Sequence, residues 1–405
     1  MKKRPNIGIL IASLGGGGAE RMAMRLCNSL PDQDYNTALL TMDYTKDYSD
    51  MGTIGPIRLS PSNVKWFTPA KVFMAPWQWV KLEHYAKNLG IDLIISLMER
   101  ANILNLIQNS VKSRIISIRT HTSMMMAAKS PLKRFLVRGS YERLLNRADK
   151  VVFNSVESKH DFLRFYGINS GKLEVVYNFC DVNRLRSMAK EPIPENLKGA
   201  FEGTTVITCG RLSRQKGQWH LIRAFKRVRE NIKDVRLIIL GKGPLENDLI
   251  SLCKDSKIMD RVYLPGFVQN PMSLIRRAGL FVMPSLWEGF PNALLEAMAV
   301  GTPVVSTDCM SGPRELMSPD SNPENKTDVL ERTACGFLIP PLDGKFRSAG
   351  IRLSPSENLL ADAMEEMLQN GEYHGKCSEA VKTRAMDFSP ERVLVSWRNI
   401  IEQVL

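Results

Sequence analysis

Two spacings of apolar residues alternate along the chain. Short runs dense in β-branched residues appear as NIGILIASL (6–14), DLIISLM (92–98), RIISIR (114–119) and KVVFNS (150–155). Between them lie stretches such as AERMAMRLCNSL (19–30), whose apolar positions recur every three to four residues. The second half repeats the alternation. TTVITCG (204–210), VRLIILG (235–241), RVYLPG (261–266), GLFVMPS (279–285) and TPVVST (302–307) read as strands, and GQWHLIRAFKRVRE (217–230) reads as a helix. Near-continuous apolar runs of this length belong to parallel strands buried on both faces. Strands alternating with helices predict βαβ units, and two such series predict an α/β chain of two doubly wound domains.

The stretch 190–203, KEPIPENLKGAFEG, is rich in Pro, Gly and charge, as a linker would be. It places the expected boundary at 189/190, with domains 1–189 and 190–388. Near the end, Ser389 can cap a helix and Pro390 suits its first position. Val393, Leu394, Trp397, Ile400, Ile401 and Val404 then form one apolar stripe. A helix so apolar on one side must dock, and 389–405 is expected to pack back on the first domain.

Length agrees with two cores, since 405 residues exceed what one ordinary domain holds. The composition, 44% hydrophobic and 24% charged, is that of a globular protein. Seven Cys occur without a CxxC pair, which argues against a disulfide framework or a zinc site and fits a reducing, cytoplasmic setting. No run of about eighteen apolar residues is present to span a bilayer. The basic start and apolar run of MKKRPNIGILIASLGGGG resemble a signal peptide superficially. The run passes straight into glycines, however, as a buried strand does when it enters a phosphate loop. Charge is uneven: residues 1–185 hold 26 Lys+Arg against 15 Asp+Glu, and residues 186–405 hold 29 against 27. The first half therefore carries the basic character and calls for an anionic partner.

Three stations could carry chemistry. GGGGAER (15–21) follows a strand and opens a helix, so its backbone could approach a phosphate. It has neither GxGxxG spacing nor a Walker GK[ST], and a flexible turn is the competing reading. GRLSRQKG (210–217) also lies where a strand meets a helix. Arg211 and Lys216 are placed there to meet a diphosphate, against the plainer reading of a solvated basic turn. SLWEGFPNALLEAMAVGTPVV (285–305) sets Glu288 in a turn and Glu296 in a following helix that Asn292 could cap. A carboxylate early in that helix can grip ribose hydroxyls, while one in the turn sits nearer a reacting group. The competing reading is two glutamates on a solvated helix.

These motifs, in this order, resemble the retaining glycosyltransferases of family 4. The resemblance spans nearly the whole chain, through GGAE, VVFNSVESK, VVYNFCD, GRLSRQKG, LGKGP, PGFVQN, WEGFPNALLEAMAVGTPVV and CGFLIPP. It implies the GT-B architecture, two Rossmann-like domains facing across a cleft. It implies that Gly17 and Gly18 lie near the donor phosphates and sugar, and that Arg211 and Lys216 neutralise the diphosphate leaving group. Glu288 would contact the donor sugar and the backbone of Gly289, Phe290, Pro291 and Asn292 would donate to sugar or phosphate. Glu296 would hold the ribose, and the backbone near Phe267 and Val268 would receive the base. His121, in SIRTHTSM, falls where many members carry a histidine, through a looser match; it is a catalytic candidate against a structural one. No DxD pair stands where a metal-dependent transferase needs one, so neither metal nor cofactor is expected.

The segment STDCMSGPREL (306–316) resembles the DCxSGPxE loop of bacterial enzymes that use UDP-hexoses or UDP-N-acetylhexosamines for O-antigen, capsule or glycan-carrier oligosaccharides. That favours UDP-galactose or UDP-N-acetylgalactosamine as donor. The expected acceptor is a polyprenyl-diphosphate-linked saccharide or growing glycan. Residues 124–150 hold seven cations and two acids with apolar residues interleaved. They could rest on the anionic cytoplasmic face of the inner membrane, or form a solvated helix packed on the sheet. Nucleic acid is not an expected partner. Two other classes remain: an isomerase like UDP-N-acetylglucosamine 2-epimerase, and a catalytically inactive GT-B binding protein.

Overall fold

The structure, a computed structural model, describes all residues except 1–3, 16, 31–33, 44–54, 61–73, 128–129, 131–137, 140 and 168–170. The chain divides into two compact units. One comprises Met1–Phe179 with Pro390–Leu405, and the other Cys180–Ser389.

In the first unit the described residues form a seven-stranded sheet of order β3-β2-β1-β4-β5-β6-β7. The strands are β1 (Asn6–Ile11), β2 (Asn36–Thr41), β3 (Ile57–Arg58), β4 (Leu93–Leu97), β5 (Ser113–Ile118), β6 (Lys150–Phe153) and β7 (Leu173–Val175). Every pairing in it is parallel. The period-two alternation of a strand explains the two-sided core. Ile7, Ile9 and Ile11 of β1, with Leu93, Ile95 and Leu97 of β4, face one helical layer. Leu10 and Ile94 face the other, against Leu82 and Ala86 of helix Ala75–Asn88. The strand order reverses between β1 and β4, and there the carboxyl ends of an open sheet leave a crevice.

Helix Pro390–Glu402 completes the first layer. Val393, Leu394, Trp397, Ile400 and Ile401 are buried beside Met22, Leu26 and Phe179, with Val404 packed against them. Their three-to-four-residue spacing aligns one face of the helix with the sheet. The Ser113 hydroxyl donates to the Val404 carbonyl (2.7 Å) at the helix end.

The second unit is a sheet of order β10-β9-β8-β11-β12-β14-β13. Its strands are β8 (Thr205–Cys209), β9 (Arg236–Leu240), β10 (Val262–Gly266), β11 (Leu280–Met283), β12 (Val304–Thr307), β13 (Glu331–Thr333) and β14 (Gly336–Ile339). Only β13 runs antiparallel, as a hairpin on β14. It is three residues of ERT, too short and too polar for the apolar pattern to reveal.

The division between the units differs from the expected one in two respects. Helix Val182–Met188 belongs to the second unit, because Asn270 donates to the Met188 carbonyl (2.8 Å) and Arg186 to the Ala299 carbonyl (3.0 Å). Nor is 190–203 a free linker. Glu195–Phe201 forms a 3-10 helix that buries Leu197 and Ala200, and the Thr205 hydroxyl donates to the Ala200 carbonyl (2.7 Å). Composition reported the chain's polarity there, while two apolar side chains, Leu197 and Ala200, decided its packing.

Helix Gln218–Asn231 is fastened to helix Pro355–Gln369 by buried charge. Ser354 and Glu357 form a reciprocal capping box. The same Glu357 carboxylate meets His220 Nδ1 (2.7 Å) and accepts from Arg223 Nε (2.9 Å). Burial alone would push this carboxyl up, but the hydrogen bonds from His220, Arg223 and the Ser354 amide hold it down to about 2. An acid depressed on folding stabilises above its unfolded value and loses that contribution as pH falls through its folded value. The contribution, about 3 kcal/mol, is therefore expected in full at pH 7 and to disappear between pH 4.5 and about 2. Urea midpoints should show wild type exceeding Glu357→Gln at pH 7 and the gap closing toward pH 2. A gap constant with pH would exclude the ionised cap as its source.

Candidate functional site

The carboxyl edge of the second sheet gathers three loops. The first leaves β8 through Gly210 and ends at Gly217, which caps helix Gln218–Asn231. Gly217 sits at φ 61°, and a β-carbon there would run into the Pro284 carbonyl. Only glycine allows the first loop to pass this close to the second. The two are then sewn together: the Leu286 amide donates to the Gln215 carbonyl (2.7 Å), and Gln215 Nε2 donates to the Trp287 carbonyl (2.9 Å).

Glu288 lies inside this seam, 5% exposed. Lys216 Nζ donates to its Oε1 (2.5 Å), as does the buried Ser285 hydroxyl (2.7 Å). Gln215 Nε2 reaches Oε2 at 3.5 Å. Such partners replace the water that so deep a carboxylate gives up, and Lys216, about three-quarters buried, finds its counter-charge in the same group. Ser285 is in turn set by Thr307, whose hydroxyl donates to the Ser285 carbonyl (2.6 Å).

The third loop follows β12 and supports Glu288 through its backbone. Glu288 N–H donates to the Met310 carbonyl (2.6 Å), and the Ser311 N–H returns a bond to the Glu288 carbonyl (3.1 Å). The Ser311 hydroxyl donates to the Gly289 carbonyl (2.8 Å). Asp308 anchors the loop: Arg314 bonds its Oδ2 through Nε (3.0 Å) and Nη2 (2.5 Å) and also grips Glu331 (2.7 Å). Residues 306–316, read from the sequence as a mark of the donor, thus also have a structural task.

The remaining expected residues of this unit fall on the same edge with different exposures. Arg211 is exposed, and its carbonyl accepts from Gln218 (3.1 Å). Glu296 is buried in the second turn of helix Asn292–Ala299. Phe267 follows β10 and is 73% exposed; Val268 is half-buried. Gly289, Phe290, Pro291 and Asn292 form the buried turn ahead of that helix. Asn292 is not its cap. Pro291 occupies that place without a side-chain hydrogen bond, and Asn292 is the first helical residue. Pro291 has no N–H to give, and the Asn292 N–H donates to the Phe290 carbonyl (3.0 Å). The structure thus joins Lys216 to Glu288 directly; no direct side-chain contact of Arg211, Phe267 or Val268 with that pair is observed.

Gly17, Gly18 and His121 belong to the first unit. Gly17 caps helix Gly18–Ser29, and the Glu20 carboxylate folds back over it, so that a β-carbon at Gly17 would strike it. Glu20 also accepts from the Ser13 hydroxyl (3.2 Å). The positive end of this helix is therefore already faced by a carboxylate. His121 is buried after β5, with Nδ1 3.1 Å from Asp161 Oδ2, which also accepts from the Ser123 amide (2.9 Å).

Much of the basic segment 124–150, namely 128–129, 131–137 and 140, lies outside the described residues. In its described end, Tyr141, Leu145 and Ala148 are buried in the core, and Arg138 pairs with Glu142 (3.0 Å). Gln215, Ser285, Thr307 and Ser311 were missed in the sequence. Small polar residues at strand ends are common, and nothing in their spacing announces which one will face a buried carboxylate.

Among known proteins, the family described as Glycosyltransferase Family 4 matches residues 16–184, and that described as Glycosyl transferases group 1 matches 190–341. An uncharacterized glycosyltransferase of Methanocaldococcus jannaschii is 31% identical, over 82% of this chain and 84% of that one. The N-acetylgalactosamine-N,N'-diacetylbacillosaminyl-diphospho-undecaprenol 4-alpha-N-acetylgalactosaminyltransferase of Campylobacter jejuni is 30% identical over 96% of both chains. The solved structure of Anabaena HepE in complex with UDP superposes with a TM-score of 0.72 at 19% identity, covering 98% of this chain and 100% of that one. The two Rossmann-like units are those of the GT-B fold.

The pair at the centre of the edge makes a thermodynamic expectation. Lys216→Met strands the Glu288 carboxylate and should destabilise more than Lys216→Met combined with Glu288→Gln. A double-mutant cycle in denaturant should return a coupling of about 0.5–3 kcal/mol. Additive effects would mean that the two side chains do not meet in solution.

Proposed function

The chain belongs to glycosyltransferase family 4, and on that premise we propose that it transfers a hexose or N-acetylhexosamine from a UDP-sugar, with retention at the anomeric carbon. N-acetylgalactosamine or galactose is the favoured sugar, and a polyprenyl-diphosphate-linked saccharide is the acceptor, in assembly of O-antigen, capsule or a related glycan. The observation that carries this reading is the near full-length similarity to an enzyme whose name states N-acetylgalactosaminyl transfer to a diphospho-undecaprenol-linked sugar. The resemblance of residues 306–316 to loops of UDP-sugar enzymes supports it.

In this reading Arg211 and Lys216 take up the charge of the departing nucleoside diphosphate, since fixed cations aimed at developing charge supply the largest catalytic term. Glu288, oriented by Ser285 and Lys216, engages the donor sugar beside the turn backbone at Gly289 and Phe290. Glu296 holds the ribose, and Phe267 and Val268 border the base. Gly17 and Gly18 approach the donor phosphates once Glu20 moves aside. His121, held by Asp161, acts at the transferred sugar. The acceptor hydroxyl forms its bond to C1 on the face from which the phosphate leaves. The C1–O bond to the β-phosphate breaks with its electron pair on the phosphate, and that oxygen takes the hydroxyl proton. Neither a metal ion nor an organic cofactor enters the scheme, so turnover should persist in a chelator.

Lys216→Ala and Glu288→Ala should each lower kcat by at least about 100-fold while leaving the circular dichroism spectrum intact. Unchanged turnover in either would contradict the roles given. UDP-sugars screened by thermal shift should raise the melting midpoint by mass action, the true donor most. UDP release that requires acceptor marks a transferase; sugar isomerised without acceptor would mark an epimerase.

No helix among the described residues is long and apolar enough to cross a membrane. Peripheral attachment at the cytoplasmic face of the inner membrane through the basic segment 124–150 accompanies the reading, each cation near anionic lipid adding about 1 kcal/mol. The protein should float with anionic liposomes at low salt and be released as salt rises. Salt-insensitive retention, or no flotation, would count against that attachment.

A further inference from the structure

A buried guanidinium is normally spent on its neighbours. Arg223 shows the usual case: beyond Glu357 it donates to the carbonyls of Ser348, Ile351 and Arg352. Arg314 likewise serves Asp308 and Glu331. Arg119, the residue after β5, does not conform. It is 6% exposed, and its Nη1 donates to the Oδ1 of buried Asn178. Its Nε and Nη2 are buried and meet no acceptor among the described residues. Among the described residues no counter-charge offsets the desolvation, which pushes its pKa down to about 9, so the group is still a cation at neutral pH.

The two idle nitrogens are a matched pair. In a guanidinium, Nε–H and one N–H of Nη2 point the same way and form a side-on fork. That fork fits two oxygens of one phosphoryl group. Nη1, on the far side, is the nitrogen that Asn178 occupies, and that bond fixes the plane of the fork.

A second observation lies at the same place. Met98, at the end of the neighbouring strand β4, holds φ 76° and ψ 157°, a conformation that residues with a β-carbon avoid. Its N–H donates to the Ser117 carbonyl (3.2 Å) and its carbonyl accepts from the Asn102 N–H (2.9 Å), which locks the ends of β4 and β5 together. Met98 and Arg119 line one cavity with Thr120, Thr122, Tyr141 and Tyr166. The cavity lies at the carboxyl ends of β4 and β5, the edge where open parallel sheets bind ligands. Glu99 also lines it, but no hydrogen bond or ion pair joins it to Arg119.

We propose that the Nε–Nη2 fork of Arg119 receives a diphosphate anion in the first unit, the group that the polyprenyl-linked acceptor carries. The assignment to the acceptor rests on the function proposed above; the fork itself does not. A nucleoside diphosphate offers the same chemistry, and the test separates the two sources.

Calorimetry on the full chain should compare inorganic pyrophosphate, geranyl diphosphate and UDP across wild type, Arg119→Gln, Arg119→Lys and Asn178→Asp. Arg119→Gln is expected to weaken pyrophosphate and geranyl diphosphate by at least about tenfold and to leave UDP unchanged. Arg119→Lys should not restore them, because an ammonium cannot present two parallel donors. Asn178→Asp keeps the arginine and gives it a carboxylate, so it should weaken the same two ligands without lowering the melting midpoint. In turnover, Arg119→Gln should raise the acceptor KM about tenfold and leave the donor KM alone.

A loss confined to UDP would assign the anion to the donor and keep the fork as its receiver. Diphosphate affinities equal across all four proteins would overturn the proposal, as would full rescue by lysine. A lowered midpoint in Arg119→Gln with unchanged affinity would overturn it too, since that is what a structural arginine predicts. Should Arg119→Gln fail to fold, Asn178→Asp decides alone. If wild type transfers no sugar to any lipid-linked acceptor, the functional reading fails while the pyrophosphate comparison still judges Arg119.

Discussion

A parallel strand cannot show either face to water here, and most of the structure follows from that constraint. Runs such as Leu93–Leu97, buried at every position, need helices on both sides. Helices on both sides require parallel strands to return through crossovers, so the loops that follow the parallel strands collect on one edge of the sheet. That edge is where candidate functional side chains gather in each unit. In the second they lie along the seam of 210–217, 284–288 and 308–312; in the first they lie beside Met98 and Arg119.

What happens at those edges is governed by the cost of buried charge. Lys216 and Glu288 settle it between themselves, with Ser285 on the same carboxylate oxygen as Lys216 and Gln215 reaching the other. Asp308, Arg314 and Glu331 do the same one layer behind, and Glu357 with His220 and Arg223 on the helical side. In these clusters each charge meets an opposite charge inside the unit. Arg119 stands apart because, among the described residues, it meets no counter-charge and two of its buried nitrogens have no partner. The difference between an arginine that holds a fold together and one that awaits a ligand lies in the two nitrogens left over.

Residue type and spacing made a good part of this legible beforehand. The strands β1, β4, β5, β6 and β8 to β12 could be read from β-branched runs because two-sided burial leaves an unbroken apolar signature, whereas β2, β3, β7, β13 and β14 were not read as strands. The stripe at Val393, Leu394, Trp397, Ile400 and Ile401 declared a docking face because 3.6-residue periodicity is local geometry. The family was readable from motifs such as GRLSRQKG and WEGFPNALLEAMA, whose residues lie within one loop or one turn of helix. In all these cases the information sits within a dozen neighbouring positions, where chain geometry alone fixes which side chains share a face.

Tertiary structure decided the rest, and the reason is distance along the chain. Lys216 and Glu288 are 72 positions apart, Arg119 and Asn178 are 59, and His220 and Glu357 are 137. Whether such groups meet depends on strand order and on the register of crossovers. Composition misjudged 190–203 for the same reason, because Leu197 and Ala200 are buried by distant parts of the second unit. The amino-acid sequence by itself determined the elements and the family, both written in local pattern. Which charges are satisfied and which one is left waiting emerged only when the sheets brought remote strand ends side by side.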